Sequence, residues 1–268
     1  KERNQQGPNE KFFARVEECS GQQNSRSTKN GYKIGSNSYF QGKACHRFNY
    51  SSDSWFQYAT NHRHHRRLTR MSSPSANSVK RIHVYGHASA SPQAVATSFA
   101  ATVAHSPQDE SDLAIFAINP SAGIDQLTID NWAALDDFQI PRLVVVNGLD
   151  GQELDFEDAV MVANRVFTQL VTPYLVLHDE NGEPTALIRL QDLQIIDYSK
   201  NPPAIHASEP EHEEVVREFR EEYFELTSEM DDGAFAAGIL FPAIPINLLT
   251  GMGVDVVRSY IDLLPSSS

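Results

Sequence analysis

The sequence predicts an α/β fold: a mostly parallel sheet with helices on both faces, in three layers, carrying a small inserted subdomain. Three observations lead there. From Lys80 onward short apolar runs alternate with amphipathic stretches, the pattern of repeated strand–helix units. Two of the runs, Leu113 to Ile118 (LAIFAI) and Leu143 to Val146 (LVVV), are continuous, as strands buried on both faces are. One segment then breaks the pattern: Asp179-Glu180-Asn181-Gly182 lies between two apolar runs, and Asn-Gly supplies the positive φ of a tight hairpin turn.

Taken in order, Arg81 to Tyr85 (RIHVY) reads as the first strand of this region, and Gln93 to Ala104 as the helix after it. LAIFAI is the second strand and Gln126 to Phe138 the second helix. LVVV, directly after Pro141, is the third strand. Phe156, Val160, Ala163 and Phe167 recur at helical spacing and define a helix over Phe156 to Leu170. Tyr174 to His178 and Thr185 to Leu190 form the hairpin. Pro202-Pro203 marks a linker, and Glu213 to Leu226 is a helix with Val216, Phe219, Tyr223 and Leu226 on its apolar face. A last strand, Pro242 to Ile246, and a helix, Val254 to Leu264, follow around a loop containing Gly251 and Gly253. The inserted subdomain therefore spans about Thr172 to Phe241.

The 268 residues, 40% hydrophobic, suit one large domain or a domain with a subdomain. Charge divides the chain. Residues 1–81 carry 15 Lys and Arg against 5 Asp and Glu, whereas the rest carries 7 against 30. A basic segment is drawn to nucleic acid by counterion release, and a solvated arm is the plainer reading of the same composition. The opening KERNQQGPNE has no apolar core for a secretory signal, and the longest apolar stretch, Ala234 to Ile246, is broken by Pro242 and Pro245. Two cysteines, Cys19 and Cys45, make neither a disulfide framework nor a zinc pattern. The expectation is a soluble cytoplasmic protein.

LVVVNGLD carries the chemistry. Asn147 and Asp150 hold the first and last positions of the N-K-x-D element that reads guanine, behind a hydrophobic strand, with Gly148 in place of Lys. A capped turn after a strand is the structural alternative for this pair. The stretch DLAIFAINPSAGIDQLTIDNWAALDDFQIPRLVVVNGLD resembles elongation factor G between its third and fourth nucleotide motifs. From Phe235 through GILFPAIPINLLTGMGVDVVRSYIDLLPSSS the chain is similar to the fifth motif and the helix behind it. The resemblance covers residues 81–268 and is closest to divergent elongation factor G-like paralogues. It implies a P-loop NTPase-like guanine-nucleotide-binding domain, GTP or GDP with Mg²⁺ as ligands, and the ribosome or its RNA as partner. No membrane or DNA role is implied.

Carried over residue by residue, the resemblance aligns Ser20 to Thr28 with the phosphate loop G-x-x-x-x-G-K-[ST], in residues 1–80. Ser25 then replaces a Gly and Arg26 a Lys. Ser27 keeps the Mg²⁺-binding hydroxyl, with Thr28 beside it. Thr69 stands for the Mg²⁺-gripping Thr of the first switch. His83-Val84-Tyr85-Gly86-His87 stands for D-T-P-G-H, 56 residues separating Ser27 from His83. His87 would orient the attacking water and Gly86 would permit the turn beside the γ-phosphate. Asn247-Leu248 replaces Ser-Ala of the fifth motif, Asn247 offering a backbone donor. Arg26 is a planar fork where a compact ammonium belongs, and His83 offers nitrogen to a cation that prefers oxygen. Hydrolysis is therefore expected to be weakened, and a pseudo-GTPase that docks on ribosome or RNA through its basic segment is the alternative. The cluster His62, Arg63, His64, His65, Arg66 and Arg67 admits a metal site, an RNA contact or a solvated loop.

Overall fold

The computed structural model describes residues 33–34, 80–107, 110–149 and 155–265. Two five-stranded sheets organise them. In chain order the elements are β1 (Lys33–Ile34), β2 (Ile82–Tyr85), α1 (Pro92–Ser98), β3 (Thr102–Val103), β4 (Leu113–Ile118), α2 (Gln126–Ala134), β5 (Arg142–Asn147) and α3 (Phe156–Ala163). After them come β6 (Tyr174–His178), β7 (Pro184–Arg189), β8 (Gln194–Asp197), β9 (Ala204–Ala207), α4 (Pro210–Thr227), β10 (Ala243–Ile246) and α5 (Val254–Leu263).

The first sheet has the order β10-β5-β4-β2-β3 and is parallel throughout. All six residues of β4 are buried, which explains its unbroken apolar run. From β2 the chain moves through α1 to β3 on one side, then crosses to β4 on the other and continues outward to β5 and β10. Right-handed crossovers in opposite directions put α1 and α2 on opposite faces. Lys80 Nζ donates to Ile261 O and Arg258 to Ser98 O, so α5 lies beside the first strand–helix unit. On the α2 side Trp132 stacks on Phe167 at 4.4 Å and meets Phe116 edge-on at 4.9 Å. Arg142, 3% exposed, lies there between the rings of Trp132 and Phe241, 4.5 and 4.3 Å from their centroids.

The second sheet, β1-β6-β7-β8-β9, is antiparallel. Successive side chains alternate between its faces. Leu175, Leu177, Ile188 and Ile195 meet Val216 of α4, with Phe219 and Tyr223 at the margin. Tyr174, Val176, Leu187, Ile196 and Tyr198 join the core of the parallel sheet. The insertion therefore shares a core with the domain that carries it, and Tyr198 Oη donates to Asp255 Oδ1 of α5 at 2.6 Å.

Several elements differ from the sequence expectation. The first helix stops at Ser98 instead of reaching Ala104, and β3 follows it. Thr97 and Ser98 turn their hydroxyls back onto Gln93 O and Ala94 O, Ala100 takes a left-handed φ of 50°, and Ala101 N closes on Ala96 O at 2.8 Å. That is a Schellman-type ending built without Gly. The third helix ends at Ala163, where the Asn164 carboxamide accepts from Leu170 N. The strands β8 and β9 have no counterpart in the sequence reading.

A candidate site at the switch point of the parallel sheet

Because the chain leaves β2 toward one edge and returns on its other side as β4, the loops after these strands diverge at their carboxyl ends. In open parallel sheets ligands bind in that crevice. The first wall is Gly86 to Ser91, a six-residue loop between β2 and α1 that contains the short 3-10 turn Ala88–Ala90. Gly86 runs so close to β4 that a Cβ there would lie 2.4 Å from Ala117 O. The second wall is Asn119 to Asp125, where Asp125 caps α2 through Thr128 N at 3.1 Å.

The loop satisfies three of its own amides. Ser89 N donates to His87 Nδ1 at 3.3 Å, Ala90 N to His87 O at 3.0 Å and Ser91 N to Ala88 O at 3.0 Å. Pro92, the first residue of α1, has no N–H, and Ser91 before it is left-handed at φ 54°. Two asparagines from neighbouring strands hold the loop's carbonyls: Asn119 Nδ2 donates to Ser89 O at 3.0 Å and Asn147 Nδ2 to Ala90 O at 3.2 Å. His87, Ser89, Ala117, Asn119, Gly123 and Asp125 line a shallow depression whose rim residues His87, Ser89 and Gly123 are exposed. A phosphate-binding loop needs its amides directed at the anion; here the amides of Ser89, Ala90 and Ser91 are engaged within the loop. Among the described residues no three His, Cys, Asp or Glu side chains are grouped to hold a metal ion.

Gly86, His87, Asn147, Asn247 and Leu248 all lie at the carboxyl edge of the parallel sheet, at or just beyond the ends of β2, β5 and β10. Their contacts differ from those expected. The His87 ring is engaged with Ser89 N and lies 2.8 Å from Ser89 Oγ. Asn147 faces the loop after β2. Asn247 donates its backbone N–H to Met252 O at 3.0 Å, while its side chain accepts from Leu249 N and Thr250 N; the donor expected of it is already taken. Leu248 is half-buried against the core. His83 lies inside β2, paired with Ala114 on one side and Thr102 on the other, away from the crevice. Ser25, Arg26, Ser27, Thr28, Thr69, Asp150 and the His62 to Arg67 cluster lie outside the described residues.

Both edges of β2 are occupied, by β3 and β4. The residues that sequence reasoning missed are Ser89, Ser91, Pro92 and Asn119. No local pattern marked them: at the fixed positions of G-x-x-x-x-G-K-[ST] the stretch Gly86 to Gln93 keeps only Gly86, with Ser91, Pro92 and Gln93 at the other three.

The chain matches no established family profile. Over 153 residues it is 29% identical to mitochondrial ribosome-releasing factor 2 of Anopheles gambiae, a match covering 55% of this chain and 21% of that protein. The chain thus spans about a fifth of that relative's length. A crystal structure of a Thermus thermophilus protein superposes with a TM-score of 0.51 at 23% identity, over 58% of this chain and 27% of the other. At that identity the likeness concerns the fold alone, a parallel α/β domain, and the sequence match is a distant relation to part of a ribosome-releasing factor.

Proposed function

We propose that this chain is the guanine-nucleotide-domain counterpart of an elongation factor G-like translation factor, that it acts at the ribosome, and that it does so without turning GTP over. The observation that carries the last point is the loop Gly86 to Ser91, where the amides of Ser89, Ala90 and Ser91 are taken by His87 and by the loop's own turn while Asn119 and Asn147 hold the carbonyls of Ser89 and Ala90. In this reading Gly86 and His87 keep the third-motif position that the resemblance gives them, and the loop they open is tied to itself and to Asn119 and Asn147. The distant similarity to a ribosome-releasing factor and the sheet order support the translation-factor part. The net positive charge of residues 1–81 supports an RNA contact.

Titration calorimetry with GTP, GDP and ATP in Mg²⁺, paired with ribosome co-sedimentation over a salt series, tests both parts. The expected outcome is no saturable nucleotide heat, and pelleting with ribosomes that is independent of nucleotide and weakens with salt. Saturable, Mg²⁺-dependent GTP binding with ribosome-stimulated phosphate release would restore the hydrolysing reading. Failure to pellet at any salt would remove the ribosome.

A further inference from the structure

Asn-Gly pairs are the places where a chain can modify itself. The backbone nitrogen of the glycine attacks the asparagine carboxamide carbon, an N–C bond forms and ammonia leaves, giving a five-membered succinimide. Water then opens the ring at either carbonyl to give aspartate or isoaspartate. Glycine favours the attack because no Cβ shields its nitrogen. The reaction also requires that the carboxamide and the attacking nitrogen can move toward each other, so the fold decides which pair reacts.

Two such pairs lie among the described residues, and the fold treats them oppositely. Asn147 closes β5, is paired with Ile246 of β10 and is half-buried, with Nδ2 bound to Ala90 O. Its neighbour Gly148 is packed so that a Cβ would meet Asn119 at 2.7 Å. Asn181 is exposed at the tip of the β6–β7 hairpin, and the space around Gly182 is open. Asp179 restrains this pair through three hydrogen bonds. Asp179 Oδ1 accepts from Asn181 N at 2.8 Å, Asp179 Oδ2 from Asn181 Nδ2 at 3.3 Å, and Asp179 O from Gly182 N at 3.0 Å.

We propose that Asn181 is a deamidation site of this protein, that Asn147 is protected by the fold, and that Asp179 sets the rate by holding both reacting groups in the turn. The product works against the hairpin. A carboxylate replaces the amide that Asp179 Oδ2 accepts from, beside Glu180 and Glu183, and like charges in contact repel. In the isoaspartate form the main chain is one carbon longer. The Asp179 N to Glu183 O and Gly182 N to Asp179 O bonds that close the turn then lose their register.

The test is peptide mapping of the full chain after timed incubation at mildly alkaline pH, with isoaspartyl methyltransferase labelling to count isoaspartate. The expected result is a gain of one mass unit and methyl acceptance in the peptide containing Asn181, while Asn147 changes only after denaturation. Asp179→Ala should accelerate the change severalfold, and Gly182→Ala should slow it severalfold. No mass gain at Asn181, or equal gain at Asn147 in the folded chain, overturns the site. An unchanged rate in Asp179→Ala overturns the role given to Asp179.

Discussion

Gly148 occupies the position where the N-K-x-D element has Lys, and the structure sets a cost on putting any side chain there. Its φ is 90°, and a Cβ would lie 2.7 Å from Asn119 Nδ2 and 3.2 Å from Asn119 Cγ. An L-residue in left-handed conformation costs roughly 1–2 kcal/mol. Displacing Asn119 also breaks its bond to Ser89 O, about 0.5–1.5 kcal/mol more. Gly148→Ala should therefore destabilise by about 1.5–3.5 kcal/mol, or a Tm loss of roughly 3–14 °C for a domain of this size. Gly182 is the internal control, since its φ is 88° with nothing within 4 Å of an added Cβ. Gly182→Ala should lose only the conformational part, about 1–2 kcal/mol. The difference between the two should vanish in an Asn119→Ala background, because a double-mutant cycle isolates the shared contact. Thermal melts of the single variants in both backgrounds measure this. Equal costs for Gly148→Ala and Gly182→Ala in the wild-type background would refute the claim that Asn119 is wedged between Gly148 and the loop. Restoring Lys at 148 alone is for the same reason expected to disturb the crevice before it recovers any contact with a base.

Ala100, exposed and left-handed at the end of α1, is a position where Gly removes strain; Ala100→Gly should stabilise by about 1 kcal/mol and raise Tm by a few degrees. Arg142→Ala should cost about 3–4 kcal/mol in denaturant titration, because it empties the slot between Trp132 and Phe241 and removes the bond to Trp132 O. Arg142→Lys should cost about half as much, keeping the charge and losing the planar stacking. Burial, followed by the neighbouring Asp155 carboxylate, pushes the Glu157 carboxyl up to about 8. A raised carboxyl favours the fold below the unfolded value of about 4.3, and that contribution is lost as pH rises through the folded value. Glu157→Gln should therefore match wild type in acid and melt several degrees higher at about pH 9; an equal Tm difference at both pH values would contradict the burial of this carboxylate.

The parallel sheet was legible because its strands are covered on both faces, so that burial writes itself into LAIFAI and LVVV as unbroken apolar runs. The β6–β7 hairpin was legible because Asn181-Gly182 is a local signal. By contrast β9 is Ala-Ile-His-Ala with two residues exposed, too short and too mixed to carry a period, and β8 is defined by the Arg189–Asp192–Gln194 contacts that fold its turn. At the site, Asn147 and the Gly86-His87 pair were recognisable as belonging to one edge, because strand ends announce themselves. What they touch was not. Asn119 lies 30 residues from Ser89 and Asn147 lies 57 from Ala90. Only the adjacency of β2 to β4 and of β4 to β5 brings these groups together, and adjacency is a property of strand order rather than of any local pattern.

The same contacts account for how the loop after β2 is held at the carboxyl edge of the sheet. Backbone amides at the end of a strand need partners, and water is one where the edge is exposed. Where a phosphate is bound, the anion satisfies them. Here the His87 ring and the 3-10 turn take the three N–H groups of Ser89, Ala90 and Ser91, and Pro92 contributes none. The carbonyls that the turn then presents to the sheet are met by carboxamides at the ends of β4 and β5. Asparagine suits that position because its side chain is short and carries both a donor and an acceptor. Asn119 uses both, holding Ser89 O with its nitrogen and Ser121 N with its oxygen. The pieces depend on one another: Pro92 offers no donor, His87 absorbs one, and the asparagines bind the carbonyls that the turn presents. A single substitution at His87, Asn119 or Asn147 therefore leaves a polar group of the loop without its protein partner.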